Sequence, residues 1–353
     1  MDSKNPKTNH QETREIMAHW QHNSIEERLQ ILEIASAAKE LPKLAVEKDW
    51  WVTMVLKALS QTQYANLLSF KGGTSLSKGW NLIQRFSEDI DVAIKREGRF
   101  AINGTSNTQL AKARRTARYY VIKELPEELG KILHDTGVSD FDIEAEIEKN
   151  DHELRADTHP SVLYVNYKSI LPEMSEYLLP KVKIEISCLS MDEPVEKKTI
   201  RSFISDTVPE GDDTSARFNT VIPTRTFLEK IFLLHEEFQK ENPRSVRMSR
   251  HLYDIERIMD TEFGMEALRD LKLYNDIVAH RSIFNKMPHV DYSTHAAPTI
   301  NFIPPADFME AWRSDYQSLT NSFIYENAEK KSFDDLLDRL EGLTLRIRKM
   351  KTQ

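Results

Sequence analysis

Asp89 and Asp91 are the residues whose type and spacing most directly imply chemistry. They stand in RFSEDIDVAI, where Ile90, Val92 and Ile94 alternate with Asp89, Asp91 and Ala93. Alternation at period two is a strand signature, and residues two apart on a strand point to one face. The carboxylates therefore lie a few ångströms apart. Like charges at that range repel unless a cation lies between them, and hard oxygen ligands suit Mg²⁺. Two-metal phosphoryl chemistry uses such a pair. On its own, D-x-D also fits a solvated strand end.

A second feature precedes the pair in FKGGTSLSKGW. Gly72-Gly73 permits φ > 0 and lets the backbone approach a ligand closely. Thr74 and Ser75 follow where a helix begins, with free N–H groups and the positive end of the helix dipole, an arrangement that binds phosphate. The segment is neither a Walker loop nor G-x-G-x-x-G. Read alone, it also fits an ordinary turn with Ser75 as N-cap. A phosphate-binding turn, one helix and then D-x-D is a much more specific order than either part.

These segments, KGGTSLSKGW with RFSEDIDV, resemble the nucleotidyltransferase toxins of the AbiEii/AbiGii type, within the DNA polymerase beta-like nucleotidyltransferase superfamily. The resemblance continues through TRTFLEKIFLLHEEF and RHLYDIERI and covers roughly residues 45 to 260, weakest between 95 and 180. It implies that Gly72, Gly73, Thr74 and Ser75 hold a nucleoside triphosphate and that Asp89 and Asp91 carry Mg²⁺, with two ions expected. It also implies a third carboxylate from a neighbouring strand. KVKIEIS offers Glu185, preferred because its strand is flanked by more apolar residues and reads as central. Glu144 and Glu146 in DIEAEIE are the rivals, and an outward-facing strand acid is the plain alternative for Glu185.

Lys230 matches the family's helical lysine that contacts the phosphates, although by itself it reads as a helix-surface lysine. Asp254 matches an aspartate that orients the nucleotide end or that lysine. Its local alternative is a helical ion pair with Arg250 or Arg257. Two positions depart from the family pattern: Glu237 stands where many members carry arginine, and His251 where many carry aspartate. Both bear on nucleotide preference.

Elements must position these groups. Apolar spacing predicts two helices between Ile25 and Leu59, a short run Leu67–Phe70 leading into the glycine turn, a helix from Ser75 through Ile83 with Gly79 inside it, and the aspartate strand. Residues 108 to 133 read as a helical segment, basic and then acidic. Strands follow at Phe141–Ile147, Val162–Tyr167, Val182–Cys188 and Thr199–Ile204. GDDTSARFN, residues 211 to 219, reads as a mobile loop. The expected fold is α+β: a small mixed nucleotidyltransferase-type sheet with flanking helices in a core domain over 1–215, then a helical domain over 216–353 that contributes to the site.

Composition agrees. Only 10 of 353 residues are glycine, and Gly72, Gly73 and Gly79 fall within eight positions. A chain this sparing of glycine is expected to be helix-rich. Hydrophobic residues at 40% suffice for a core, and the single cysteine, Cys188, allows neither an internal disulfide nor a multi-cysteine zinc site. The first fifteen residues lack the apolar core of a secretory signal, and WWVTMVL is broken at Lys57. The expectation is a soluble cytoplasmic protein. Trp50 and Trp51 are expected in the core.

A formal charge of −8 argues against a general nucleic-acid coat. Seven basic residues against one acid nevertheless lie between Lys95 and Arg118, and the stretch to Asp157 turns acidic. Lys112, Arg114, Arg115 and Arg118 with Tyr119 and Tyr120 fit either phosphate contact and stacking on an RNA end or a solvated helix face. RIRKMK, Arg346–Lys351, reads as a helix C-terminus.

The expected function is Mg²⁺-dependent transfer of NMP from NTP to an RNA acceptor such as the tRNA 3′ end. The resemblance implies a toxin opposed by a separately encoded antitoxin, without membrane partners. Two alternatives are a kinase or antibiotic-type small-molecule nucleotidyltransferase on the same fold, and a catalytically silent nucleotide-binding partner protein.

Overall fold

The computed structural model describes residues 19–146, 160–172, 175, 178–191, 194–325 and 330–350. The opening segment 1–15, Ile147, Asp157 and Lys351, each part of a sequence expectation, lie outside them.

Two helices begin the described chain. Helix α1 (Ile25–Lys39) starts at a capping box in which Ser24 and Glu27 satisfy each other's backbone N–H groups. Helix α2 (Lys43–Leu59) is buried on every side, with fourteen of its seventeen residues inside. Burial of that kind requires its charges to be paired. Glu47 accepts from Ser169 Oγ at 2.6 Å and Ile170 N at 3.0 Å, Lys48 meets Glu88 at 2.7 Å, and Asp49 meets Lys78 at 2.5 Å. Trp50 and Trp51 are fully buried, as expected. The α2 charges thereby pin both the glycine turn and the residue just before Asp89.

The sheet has seven strands in the order β3-β4-β5-β2-β1-β7-β6. These are β1 (Leu68–Lys71), β2 (Ile90–Ile94), β3 (Phe141–Ala145), β4 (Ser161–Tyr167), β5 (Lys181–Ser187), β6 (Val195–Arg201) and β7 (Ser215–Val221). Strand β2 lies antiparallel to β1 and parallel to β5, and β1 is parallel to β7. The sheet is therefore mixed, as expected. Phe70, Val92, Ile184 and Ile186 bury one face against α2 and α5 (Leu125–Asp135). The opposite face carries Lys71, Asp91 and Glu185.

Three local expectations are corrected. The turn opens a helix at Gly72, not Ser75: α3 (Gly72–Thr74) runs into a π-turn over Ser75–Gly79 and stops. Residues 80–89 are irregular, because Asn81 takes φ 53° and the chain turns back to pair Arg85 with Ile324. Gly79 ends this segment rather than lying inside a helix, and a Cβ there would press 3.1 Å from Thr220 Cγ2. The strand expected at Thr199–Ile204 spans Val195–Arg201, after which Ser202 caps α6 (Phe203–Thr207). GDDTSARFN is no mobile loop. Asp212 is fully buried and accepts from Trp20 N, Trp50 Nε1, Ser202 Oγ and Thr214 Oγ1 at 2.5–3.1 Å, and Ser215 then begins β7.

Beyond β7 come helices α7 (Pro223–Glu237), α8 (Ser249–Ile258), α9 (Glu262–Ala267), α10 (Leu271–Phe284), α11 (Met309–Ser322) and α12 (Phe333–Arg348). They enclose a second apolar cluster around Phe227, Phe232, Trp312 and Leu340, to which Leu76 and Ile83 contribute from the turn region. The first cluster is drawn from residues before Ile222 and most of the second from residues after it, and β7 packs in the first, beyond the boundary expected at residue 215. The end of α12 carries Arg346, paired with Asp260 at 2.9 Å, and Arg348 donating to Ile300 O at 3.0 Å. Among the described residues no helix is long and apolar enough to cross a membrane.

Candidate active site

Gly72 holds the left-handed φ of +78°, and a side chain there would overlap the Asp91 carboxylate. Glycine at this position lets the turn close directly over that acid. Gly73 is equally constrained, since a Cβ would stand 2.7 Å from Arg85 Nη2 and 2.9 Å from Ser87 Oγ. The hydroxyls of the turn point inward: Thr74 Oγ1 donates to Asp89 O at 2.5 Å, and Ser75 Oγ donates to Gly72 O at 2.9 Å. Both residues are buried. What the turn leaves for an anion is therefore backbone N–H rather than side chain, and Ser75 is not its cap.

The strands then set the acids in a row. Lys71 pairs across from Asp91, and Asp91 pairs across from Glu185. Asp89, one residue ahead of β2, extends the same face. Glu144 lies on edge strand β3, where it pairs with Tyr164 and is separated from β2 by β4 and β5. At about 4.8 Å per strand it lies roughly 14 Å away. Glu146 sits at the end of that strand and accepts from Tyr164 Oη at 3.3 Å. Of the three expected acids, the structure brings Glu185 to the pair.

Electrostatics sharpen the arrangement. Burial, then the neighbouring charge of Glu185, pushes the Asp91 carboxyl up to about 6, against the opposing pull of Lys71. Asp89 is also raised, by burial and then by Glu88. Acids held this way favour a cation between them. Among the described residues no three His, Cys, Asp or Glu side chains form a ready metal cage, and the Glu185 carboxylate leans on Lys183 of its own strand. The donor set still fits a hard divalent ion: three carboxylates on one face, two with their charged forms disfavoured until a cation arrives.

Lys230 and Asp254 meet from α7 and α8. Lys230 Nζ lies 2.8 Å from Asp254 Oδ2, and Arg85 binds the same carboxylate through Nε–Oδ1 at 2.7 Å and Nη2–Oδ2 at 2.8 Å. Asp254 is fully buried. Burial would raise its pKa, but Arg85 and Lys230 hold it well below the usual carboxylate range. The local pairing with Arg250 or Arg257 is not the one adopted. Lys230 is buried, so the surface-lysine reading gives way as well.

Sequence reading passed over Lys71 and Arg85, and took Arg250 only as a local partner for Asp254. Lys71 Nζ donates to Ser190 Oγ at 3.1 Å, and Arg85 anchors the turn to α8. Both stand inside the segments that carry the glycine and aspartate motifs, but neither has a spacing that marks its role.

A cleft of about 440 Å³ opens at Ser187, between α4 (Asn107–Tyr119), the end of α7 and the end of α10. Arg114, Arg118, Lys240, Arg244, Arg281 and Lys286 line it beside Glu236 and Glu237, which pair with Arg281, Lys240 and Arg244. Lys112 and Arg115, expected beside Arg118, instead face solvent, and Tyr120 is buried against Tyr64 and Phe100 rather than free to stack. Glu237, where many family members carry arginine, is held down to about 2: burial opposes this, but hydrogen bonds from Arg244 and Lys240 prevail.

A glycine turn closing over a strand aspartate, a second acid on the adjacent parallel strand and a buried lysine on a following helix form the arrangement that the resemblance implies for a nucleotidyltransferase. Residues 55–339 match the model of the family described as nucleotidyl transferase AbiEii toxin, Type IV TA system. The chain belongs to that family and is a nucleotidyltransferase toxin. Among solved structures it is similar to the nucleotidyltransferase toxin MenT4 of Mycobacterium tuberculosis H37Rv, with a TM-score of 0.50, 16% identity, and coverage of 92% of this chain and 90% of that one. At that identity the likeness speaks for the fold. No curated protein matches the sequence.

Proposed function

We propose that this toxin transfers NMP from NTP to an RNA acceptor such as the tRNA 3′ end, using Mg²⁺ held by Asp89, Asp91 and Glu185. The observation that carries the reading is Asp91, placed under Gly72 and directly across from Glu185. Mg²⁺ held there would supply Lewis-acid stabilisation of phosphate oxygens. The chain's own groups do the rest. Backbone N–H groups of Gly73 and Thr74 receive the leaving pyrophosphate, Lys230 adds positive charge from α7, and Asp254 fixes that lysine. An acceptor hydroxyl oxygen forms its bond to the α-phosphorus as the α–β bridge breaks, its proton passing to solvent and pyrophosphate leaving.

Arg114, Arg118 and Lys286, on the cleft beyond Ser187, support a polyanionic acceptor. A cytoplasmic site of action and a separately encoded antitoxin complete the proposal, the latter in keeping with the Type IV family. The test is incubation of the protein with total tRNA, Mg²⁺ and each NTP labelled at the α or γ phosphate. Label entering RNA from α but not γ supports it. Label from γ alone means phosphoryl transfer, and label from neither sinks the RNA-acceptor reading.

A further inference from the structure

Arg250 occupies an unusual position for a half-buried cation. It lies on the first turn of α8, four residues before Asp254, which is the spacing of a helical ion pair. Asp254 does not take it: Oδ1 is held by Arg85, and Oδ2 is shared between Arg85 and Lys230. The other acid within electrostatic reach is Asp89, with Arg85 and Arg247 as the nearby cations. Among the described residues Arg250 makes no ion pair, and its buried Nε has no hydrogen-bond partner. Its neighbour His251 also carries an unpartnered buried Nδ1.

A guanidinium nitrogen shut off from water without a partner, as Arg250 Nε is, is costly. This guanidinium lies within electrostatic reach of both the Asp89 acid and the Lys230–Asp254 pair. The fork of a guanidinium matches phosphate oxygens in two-point contact. We infer that Arg250 is a catalytic residue that binds the polyphosphate of the nucleotide, completing an anion site whose other members are the Gly72–Thr74 turn and Lys230. The inference rests on the nucleotide-binding reading of this cleft.

The test is calorimetric titration with inorganic tripolyphosphate, without divalent ions, followed by a nucleoside triphosphate carrying a non-hydrolysable α–β bridge. Arg250→Gln should weaken both by about 10- to 100-fold, as expected for a charge-assisted two-point contact. Arg250→Lys, which keeps the charge but loses the fork, should fall between. Because Arg250 supports no partner in the unbound protein, neither variant should lower Tm, whereas a merely structural arginine would. With labelled NTP, kcat should fall further than KM rises if the contact tightens in the transition state. Wild-type affinity for tripolyphosphate in Arg250→Gln overturns the inference while leaving the cleft reading intact. No binding by the wild type overturns both.

Discussion

Asp91 and Glu185 stand directly across from each other on two parallel strands, and the charge of Glu185 is, after burial, the main reason the Asp91 carboxyl is raised to about 6. Its unfolded value is about 3.9, so the native protein binds this proton more tightly. The stability that Asp91 contributes is therefore full below pH ~4, falls through pH ~6 and is lost above it. Asp91→Asn imitates the protonated group. Without metal at pH 7 it should be more stable than the wild type by roughly 1–3 kcal/mol, with the gap closing near pH 4. Urea unfolding at both pH values checks this, and an equal gap at each would contradict it.

The same acids should make stability depend on Mg²⁺. A cation that binds only the folded state raises Tm with its concentration. Wild-type protein should show that rise, and Asp89→Ala or Asp91→Ala should flatten it while abolishing transfer and growth arrest. Scanning calorimetry across a Mg²⁺ series reads the first effect independently of activity. Toxicity retained by both variants would remove them from the site.

Asp254 joins two buried cations from distant parts of the chain. A local i,i+4 pair would contribute only about 0.3–0.5 kcal/mol. Removing the shared partner of Arg85 and Lys230 leaves two charges uncompensated and should cost about 3–5 kcal/mol. Denaturant unfolding of Asp254→Asn distinguishes these magnitudes. Because this carboxyl is held below its unfolded value, its stabilisation is present above pH ~4 and is lost as pH falls below that.

The parts of the site read from sequence were those with a period or a motif. Asp89 and Asp91 betrayed their strand by alternation, and Glu185 was ranked ahead of Glu144 because an apolar flank signals a central strand. Register then did what spacing could not, setting Glu185 beside Asp91. Arg85 was invisible because its partner is 169 residues away and its own segment is irregular. Asp212 was misread for a related reason. Its neighbours Gly211, Asp213 and Thr214 look like loop residues, yet four buried donors converge on it from Trp20, Trp50, Ser202 and Thr214. Polar residues that bond across the fold carry no local signature.

Glu237 shows how one departure from the family pattern is accommodated. Its carboxylate meets Lys240 Nζ at 2.7 Å and Arg244 Nη2 at 3.0 Å. Glu237→Arg would gather three cations there and should cost about 1–3 kcal/mol. Adding Arg244→Glu should return part of the loss, and a double-mutant cycle by thermal unfolding measures the coupling. Additive effects would mean that the pair is not linked energetically.

Arg114 and Arg118 lie four apart on α4 and both turn into the cleft beyond Ser187, while Lys112 and Arg115 face away. If an RNA end reaches Asp91 along this channel, these two arginines meet phosphate and Lys112 and Arg115 do not. Each phosphate contact steepens the dependence of log affinity on log salt by about 0.7 to 0.9. The double variant Arg114→Gln/Arg118→Gln should therefore bind tRNA more weakly whatever its sequence, with a slope shallower by about 1.5 to 2. Lys112→Gln/Arg115→Gln, which removes the same charge from the solvent face, should leave that slope near the wild-type value. Nucleotide binding should survive in both pairs, since neither touches the turn or Lys230. Filter binding of labelled tRNA between about 50 and 200 mM salt supplies the slopes. Equal slopes in the two variants would mean that the cleft face of α4 does not carry the acceptor.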